Sequence, residues 1–240
     1  DWDNIGLLVG RRDKEVKSIY IALDATDEVI DEAIRVGADM LLTHHPLIFH
    51  KINRVNTDDF IGKRIYGLIR ADMVCYAMHT NFDVMGMADA AADKIGLVDG
   101  EVLDVTFDDG VSRQGCGRVG KLPHRMTLGE CAELVKKSFQ VPSVRVYGDR
   151  DSNVRDAAVM PGSGGSFLQN ALQADADVMI TGDIDHHEAI DAVAQGISII
   201  DAGHYGIEKL FIPYMQEYLA RNLQGIKLYA APFQEPFVVV

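Results

Sequence analysis

From Val16 the chain reads VKSIYIALDATDEVIDEAIRVGADMLLTHH: an apolar run, apolar residues at helical spacing (Val29, Ile30, Ala33, Ile34), then a second apolar run. That order predicts strand, helix, strand. From Val154 the stretch VRDAAVMPGSGGSFLQNALQADADVMITGD repeats the pattern, with Phe167, Leu168, Ala171 and Leu172 at the helical positions. Ala176, Asp177 and Thr181 then stand where Ala38, Asp39 and Thr43 stand in the first stretch, and every pair is 138 residues apart. An ungapped match of this length reads as an internal duplication.

The pattern continues after each unit. Helices are predicted at about 58–70 and about 186–194, and each is followed by an apolar run, MVCYAM or ISIIDA, that leads to a histidine. His79 is followed four residues later by Asp83, and His204 four residues later by Glu208. Here the separation is 125 residues, so the first copy has the longer loop. The expected fold is α/β: two similar α/β halves related by a pseudo-twofold around a shared metal cleft, where open α/β sheets place their ligands. Residues 1–99 form the first half and 151–240 the second, together one compact domain. Between them, 100–150 is expected to be a small inserted α+β segment without obvious chemistry, with a helix from Thr127 that Glu130 completes as a capping box. A helix over about 205–222 contains Pro213, which predicts a kink or a later start.

Composition narrows the class. With 240 residues, 48% apolar and 25% charged, the chain can bury a sizeable core, and disorder and collagen-like repeats are excluded. No window approaches the ~18 to 20 apolar residues that span a bilayer, and no signal-peptide pattern opens the chain, so a soluble protein is expected. A net charge of −13 repels phosphate backbones and anionic membranes, which argues against non-specific nucleic-acid binding. Cys75, Cys116 and Cys131 form neither an even disulfide set nor a metal pair; they read as core residues in a reducing compartment, the cytoplasm. The chain begins at Asp1 within what reads as a motif, so preceding sequence is expected.

His44 and His45 directly follow the apolar run MLL, which puts two imidazoles at the carboxyl end of a buried strand. His204 and Glu208 share one face of any helix that starts near them, and Asp83 comes from the matching loop of the first copy. These five residues offer three imidazole nitrogens and two carboxylates, suited to zinc, iron or manganese and more than one tetrahedral ion needs. A bridging carboxylate would let two ions sit roughly 3.5 to 4 Å apart, as in two-metal hydrolases. The GSGGS run from Gly162 to Ser166 can be a phosphate cradle or a tight glycine turn; with no P-loop lysine the turn is favoured.

Six stretches in order, DWDNIGLLVG at Asp1, LLTHHPLIF at Leu41, HTNFD at His79, PGSGGSF at Pro161, TGDIDHHEA at Thr181 and AGHYGIEK at Ala202, resemble the Nif-three-like dinuclear metal-centre family, whose members are named GTP cyclohydrolase I type 2 homologues. The short middle segment matches the family's short form. The resemblance implies that His45 and Asp83 hold one divalent ion, His44 and His204 the other, and that Glu208 bridges them. It makes His79 a close neighbour of the ions. Asp183 and His187 occupy the second copy's equivalent of the double-histidine loop; they can orient ligands or transfer protons, while His187 can equally be a helix-surface residue. Trp2, Asp3 and Asn4 either line the cleft or cap a preceding helix.

The function these residues imply is hydrolysis of a small molecule, with a nucleotide among the candidates: two divalent ions acidify a water, and His79 or His187 moves protons. Opening a purine ring and cleaving a phosphoester fit the donors equally well. The competing reading is a non-enzymatic, metal-stabilised scaffold that binds partner proteins, since the family takes its name from a partner of a transcriptional adaptor. The resemblance implies a homohexamer, in which the FVVV terminus serves assembly or is a buried edge strand.

Overall fold

A computed structural model describes residues 3–239. Asp1, Trp2 and Val240 lie outside the described residues, and with them the expectation for Trp2 and the last position of the FVVV terminus. The strands are β1 (Gly6–Val9), β2 (Ser18–Ala22), β3 (Met40–Thr43), β4 (Val74–Ala77), β5 (Val98–Asp108), β6 (Arg113–Thr127), β7 (Arg145–Tyr147), β8 (Asn153–Ser163), β9 (Val178–Gly182), β10 (Ser198–Asp201) and β11 (Lys227–Ala230). The α-helices are α1 (Asp27–Arg35), α2 (Phe60–Arg70), α3 (Thr80–Phe82), α4 (Ala88–Ile95), α5 (Leu128–Phe139), α6 (Leu168–Gln173), α7 (His186–Ala194), α8 (His204–Glu208) and α9 (Phe211–Asn222). A π-helical turn covers Asp83–Met87. Among the described residues no helix is long and apolar enough to cross a membrane.

The α/β class read from the sequence is the observed one, carried by two sheets. The chain divides into two compact units, one drawn from Asp1–Phe82 and Phe211–Gln234, the other from Asp83–Leu210 and Glu235–Val240. These are not the expected breaks at 99/100 and 150/151. The reason is long-range pairing: β11 returns to the first sheet, and the middle segment pairs into the second.

In the first unit the sheet order is β1-β4-β3-β2-β11, with β2, β3 and β4 mutually parallel. All five residues of β2 are buried, and Ile19–Ala22 make the apolar run of a strand covered on both faces. Thr26 caps α1 by accepting from Val29 N (3.3 Å), and Asp59 caps α2 by accepting from Gly62 N (3.0 Å). The helix expected over 205–222 is two helices, and Pro213 lies in the first turn of α9, where no helical N–H is lost. Of the two outcomes expected for Pro213, the structure takes the later start.

In the second unit the order is β5-β6-β8-β9-β10-β7. Strands β8, β9 and β10 are parallel, while β6 runs antiparallel to β8 from Arg118↔Val159 to Thr127↔Asn153. The middle segment is therefore an extension of this sheet. Helix α5 starts at the expected Thr127–Glu130 capping box. It buries Leu128, Val135 and Phe139 in one cluster with Val159, Ile180 and Ile200, which ties the segment to the strands of the second copy.

The duplication is visible in backbone hydrogen bonds. Asp39 Oδ2 accepts from Lys17 N (2.9 Å) and Ser18 N (3.0 Å). Asp177 Oδ2 accepts from Arg155 N (2.7 Å) and Asp156 N (3.0 Å), each group 138 residues further on. Left-handed turn positions correspond as well, Gly37 (φ 70°) with Asp175 (φ 52°). In the third strand of each copy Thr43 pairs with Ala77 and Thr181 with Asp201, so the strand offset there is 124. The 125 separating His79 from His204 reflects one extra residue in the second copy, after which Gly203 (φ 76°) leads into α8.

Candidate metal centre

His44 and His45 leave the carboxyl end of β3 as expected, His44 fully buried and His45 half-buried. His79 follows β4, the strand beside β3. Each of the three rings has its Nδ1 engaged by oxygen. His44 Nδ1 donates to the Met78 carbonyl (2.7 Å), His45 Nδ1 to Asp24 Oδ1 (2.7 Å) and His79 Nδ1 to Asp3 Oδ1 (2.7 Å). A carbonyl or carboxylate oxygen only accepts, so Nδ1 carries a proton, and in the neutral ring Nε2 then has the lone pair a metal requires. Histidine tethered in this way is the usual outer support of metal ligands. Ligand nitrogens of the three rings lie within 4.8 Å of one another.

Asp3 is held in turn. Its Oδ2 accepts from the Thr80 hydroxyl and from Thr80 N (3.3 Å). Burial pushes the Asp3 carboxyl up, but the Thr80 hydroxyl, the His79 hydrogen bond and charge, and the Thr80 N–H outweigh it, leaving it below the ordinary value. It is a carboxylate at neutral pH, fit to orient His79. Asp24 escaped the sequence reading. Its signal was there: β2 and β3 are parallel with Ala22 opposite Thr43, which puts Asp24 beside His45 at the same strand end.

In the second unit, α8 begins at His204 and ends at Glu208, so the i,i+4 spacing does bring them together: His204 Nε2 lies 2.8 Å from Glu208 Oε2. Glu208 is only 3% exposed, a burial that costs a carboxylate several kcal/mol unless cations or donors face it. Asp183 Oδ2 lies 3.4 Å from His204 Nδ1. The Asp183 backbone is left-handed, at φ 48°. Asp83 opens the π-helical turn, a distortion that often marks functional positions.

His187 is not brought to this group. It is exposed in the first turn of α7, its ring against His186 at 5.2 Å, and the helix-surface reading is the one observed. The GSGGS run is a packing turn. Gly162 has φ +70°, and a Cβ there would meet Glu208 Oε1 at 2.5 Å; at Gly164 it would meet Thr181 Oγ1 at 2.2 Å, and at Gly165 Glu188 Oε2 at 2.0 Å. Cys75 and Cys131 are buried and Cys116 half-buried. Burial pushes the first two thiols up to about 12 and Cys116, beside the Asp83 and Asp104 carboxylates, up to about 11.

Imidazole nitrogen and carboxylate oxygen are the donors that divalent transition metals take, so both units fit a cation chemically. Two α/β units built on one repeat, each with such donors at its strand ends, define the class of protein. The chain belongs to the Duf34/NIF3 (NGG1p interacting factor 3) family, whose model matches residues 1–235. A relative from Clostridium acetobutylicum named GTP cyclohydrolase 1 type 2 homolog is 40% identical over 210 residues, 87% of this chain and 78% of the relative. One of the same name from Halalkalibacterium halodurans is 28% identical over 332 aligned positions, covering 95% of this chain and 89% of the relative, so it carries internal sequence beyond the short form. The crystal structure of a Bacillus cereus protein related to NIF3 has a TM-score of 0.90 at 28% identity, covering 99% of this chain and 93% of that one.

Proposed function

We propose that the chain is a metal-dependent hydrolase that holds two divalent cations of the zinc, iron or manganese type and acts on a nucleotide or a related small molecule. His45 and Asp83 would hold one ion, His44 and His204 the other, with Glu208 bridging them. The observation that carries the reading is the group of three imidazoles whose Nδ1 atoms are all committed to oxygen acceptors, which presets three Nε2 lone pairs. The buried His204–Glu208 pair and the resemblance in the six sequence motifs support the remaining donors.

When bound, such ions supply Lewis acidity and a water acidified towards neutral pH. The chain's own residues do the rest. His79, steadied by the ionised Asp3, takes a proton at Nε2 or returns it to the leaving group. Asp183 steers His204 through Nδ1, and His187 takes no part. The name borne by the relatives favours a purine nucleotide as substrate. Free cysteines fit a reducing cytoplasm, and the family resemblance favours a homohexamer, checked by sedimentation.

The test is elemental analysis of untreated protein and turnover of a nucleotide panel after metal loading. Two equivalents of metal are expected, and His45→Ala and Glu208→Ala should each lower turnover by more than about 100-fold. Turnover that survives both substitutions refutes the reading. Metal removal that dissolves the assembly while no substrate is ever consumed would favour the scaffold instead.

A further inference from the structure

The loop that carries the two histidines away from β3 also presents an aromatic ring that the metal chemistry leaves unused. Between β3 and α2 the chain has no regular secondary structure. Leu47 is buried at 6% exposure, then the loop surfaces and leaves Phe49 53% exposed. Phe49 is nonetheless held. Asn4 Nδ2 donates to the Ile48 carbonyl (2.7 Å), and the Phe49 ring stands perpendicular to His79 (centroids 6.3 Å apart, 84°) and to His50 (5.0 Å, 82°).

The neighbouring residue Asp3 holds His79, so two consecutive residues brace the imidazole and the backbone next to the phenyl ring. Perpendicular contacts occupy edges or one face of a ring, and an exposure of 53% leaves surface for a second ring to stack. The same loop carries Lys51 and Arg54, both exposed, in a chain whose net charge is −13. Aromatic face and cations on one loop are the features that recognise a planar heterocycle with an anionic tail.

We propose that Phe49 is a stacking platform that holds the nucleobase of a phosphorylated substrate beside the His44, His45 and His79 group. The fate of that substrate rests on the hydrolase reading above, but its binding does not.

The test is equilibrium dialysis of the full chain with GTP, guanosine and ribose 5-phosphate. Because Phe49 is exposed, its variants should melt like the parent, which circular dichroism checks. Phe49→Tyr should bind GTP within about threefold of the parent, whereas Phe49→Leu and Phe49→Ala should bind GTP and guanosine roughly 10- to 100-fold more weakly. Ribose 5-phosphate, which has no base, should bind all four proteins alike. The double substitution Lys51→Ala with Arg54→Ala should weaken GTP and spare guanosine.

Leucine serving as well as phenylalanine, equal losses for ribose 5-phosphate, or a parent chain that binds neither GTP nor guanosine would each overturn the proposal. GTP turnover by the same series after metal loading separates the two readings. Ring-dependent binding without turnover in any protein sinks the hydrolase and keeps the platform; turnover without ring dependence does the reverse.

Discussion

Replacing Gly162 by alanine probes the carboxylate at the end of α8 without touching a donor. Gly162 has φ +70°, and a Cβ would come within 2.5 Å of Glu208 Oε1, where ordinary contact begins at 3.4 Å. Two costs follow. A side chain in the left-handed region costs roughly 1–2 kcal/mol, offset in part by the stiffer unfolded chain. The Glu208 carboxylate must also withdraw by nearly an ångström from a position 2.8 Å from His204, and disturbing a buried polar group there costs about 1–3 kcal/mol.

Gly37→Ala is the control, because Gly37 has the same φ of +70° and nothing within 4 Å of its would-be Cβ. Asp175 occupies the equivalent turn of the second copy at φ 52°, so a side chain is tolerated in that position. Urea unfolding of chelator-treated protein should find Gly162→Ala less stable than Gly37→Ala by about 1–3 kcal/mol. For a chain of this size each kcal/mol lowers the melting temperature by roughly 2–4 °C. Zinc affinity, read by competition with a chromophoric chelator, should fall for Gly162→Ala alone. Equal destabilisation of the two variants with unchanged zinc affinity would refute the packing argument.

Three further outcomes follow from the geometry. Asp201 is 2% exposed and accepts from Arg145, Ile184 N (3.2 Å) and Gly203 N (2.8 Å); Asp201→Ala strands the two backbone donors, while the exposed Arg145 turns to water, and should cost about 1–3 kcal/mol, measured by urea unfolding. For Asp39, burial pushes the carboxyl up, but the Lys17 N–H, Ser18 and Lys14 bring it below the ordinary value. A lowered folded-state value contributes stability that is present above the unfolded value near 3.9 and is lost as pH falls through the folded one. Asp39→Asn should therefore be less stable than the parent at pH 7 and show a shallower acid limb below about pH 4, read from urea midpoints across pH. The buried, raised thiols of Cys75 and Cys131 should not react with a disulfide reagent at pH 8 until the protein unfolds, which absorbance follows directly; prompt release of two or more thiolates from folded protein contradicts the burial.

Local pattern was enough for much of the fold. Val29, Ile30, Ala33 and Ile34 announce α1, His186–Ala194 is the helix expected there, and the Asp39 and Asp177 clamps stand at the spacing that revealed the repeat. The donors at strand ends were legible because parallel strands deliver their carboxyl ends to one edge. What escaped was set by distant partners. Nothing local in 100–150 says that β6 will pair with β8, nor that β11 will return to β2. The one-residue insertion before His204 is invisible without strand register, since the His-to-carboxylate spacing is four in both copies. The contacts of Asp24 with His45 and of Phe49 with His79 were missed because they depend on neighbours across the sheet or in another loop.

Because the two copies share one backbone plan, transplanting the histidine pair of β3 to the tip of β9 looks straightforward: the positions equivalent to His44 and His45 are Gly182 and Asp183. The graft is sterically forbidden, since any side chain at Gly182 would run into the His204 backbone nitrogen at 2.5 Å. The two tips are thus not interchangeable: the first has room for adjacent imidazoles, while at the second the segment leading into α8 closes over a residue that must stay without a side chain.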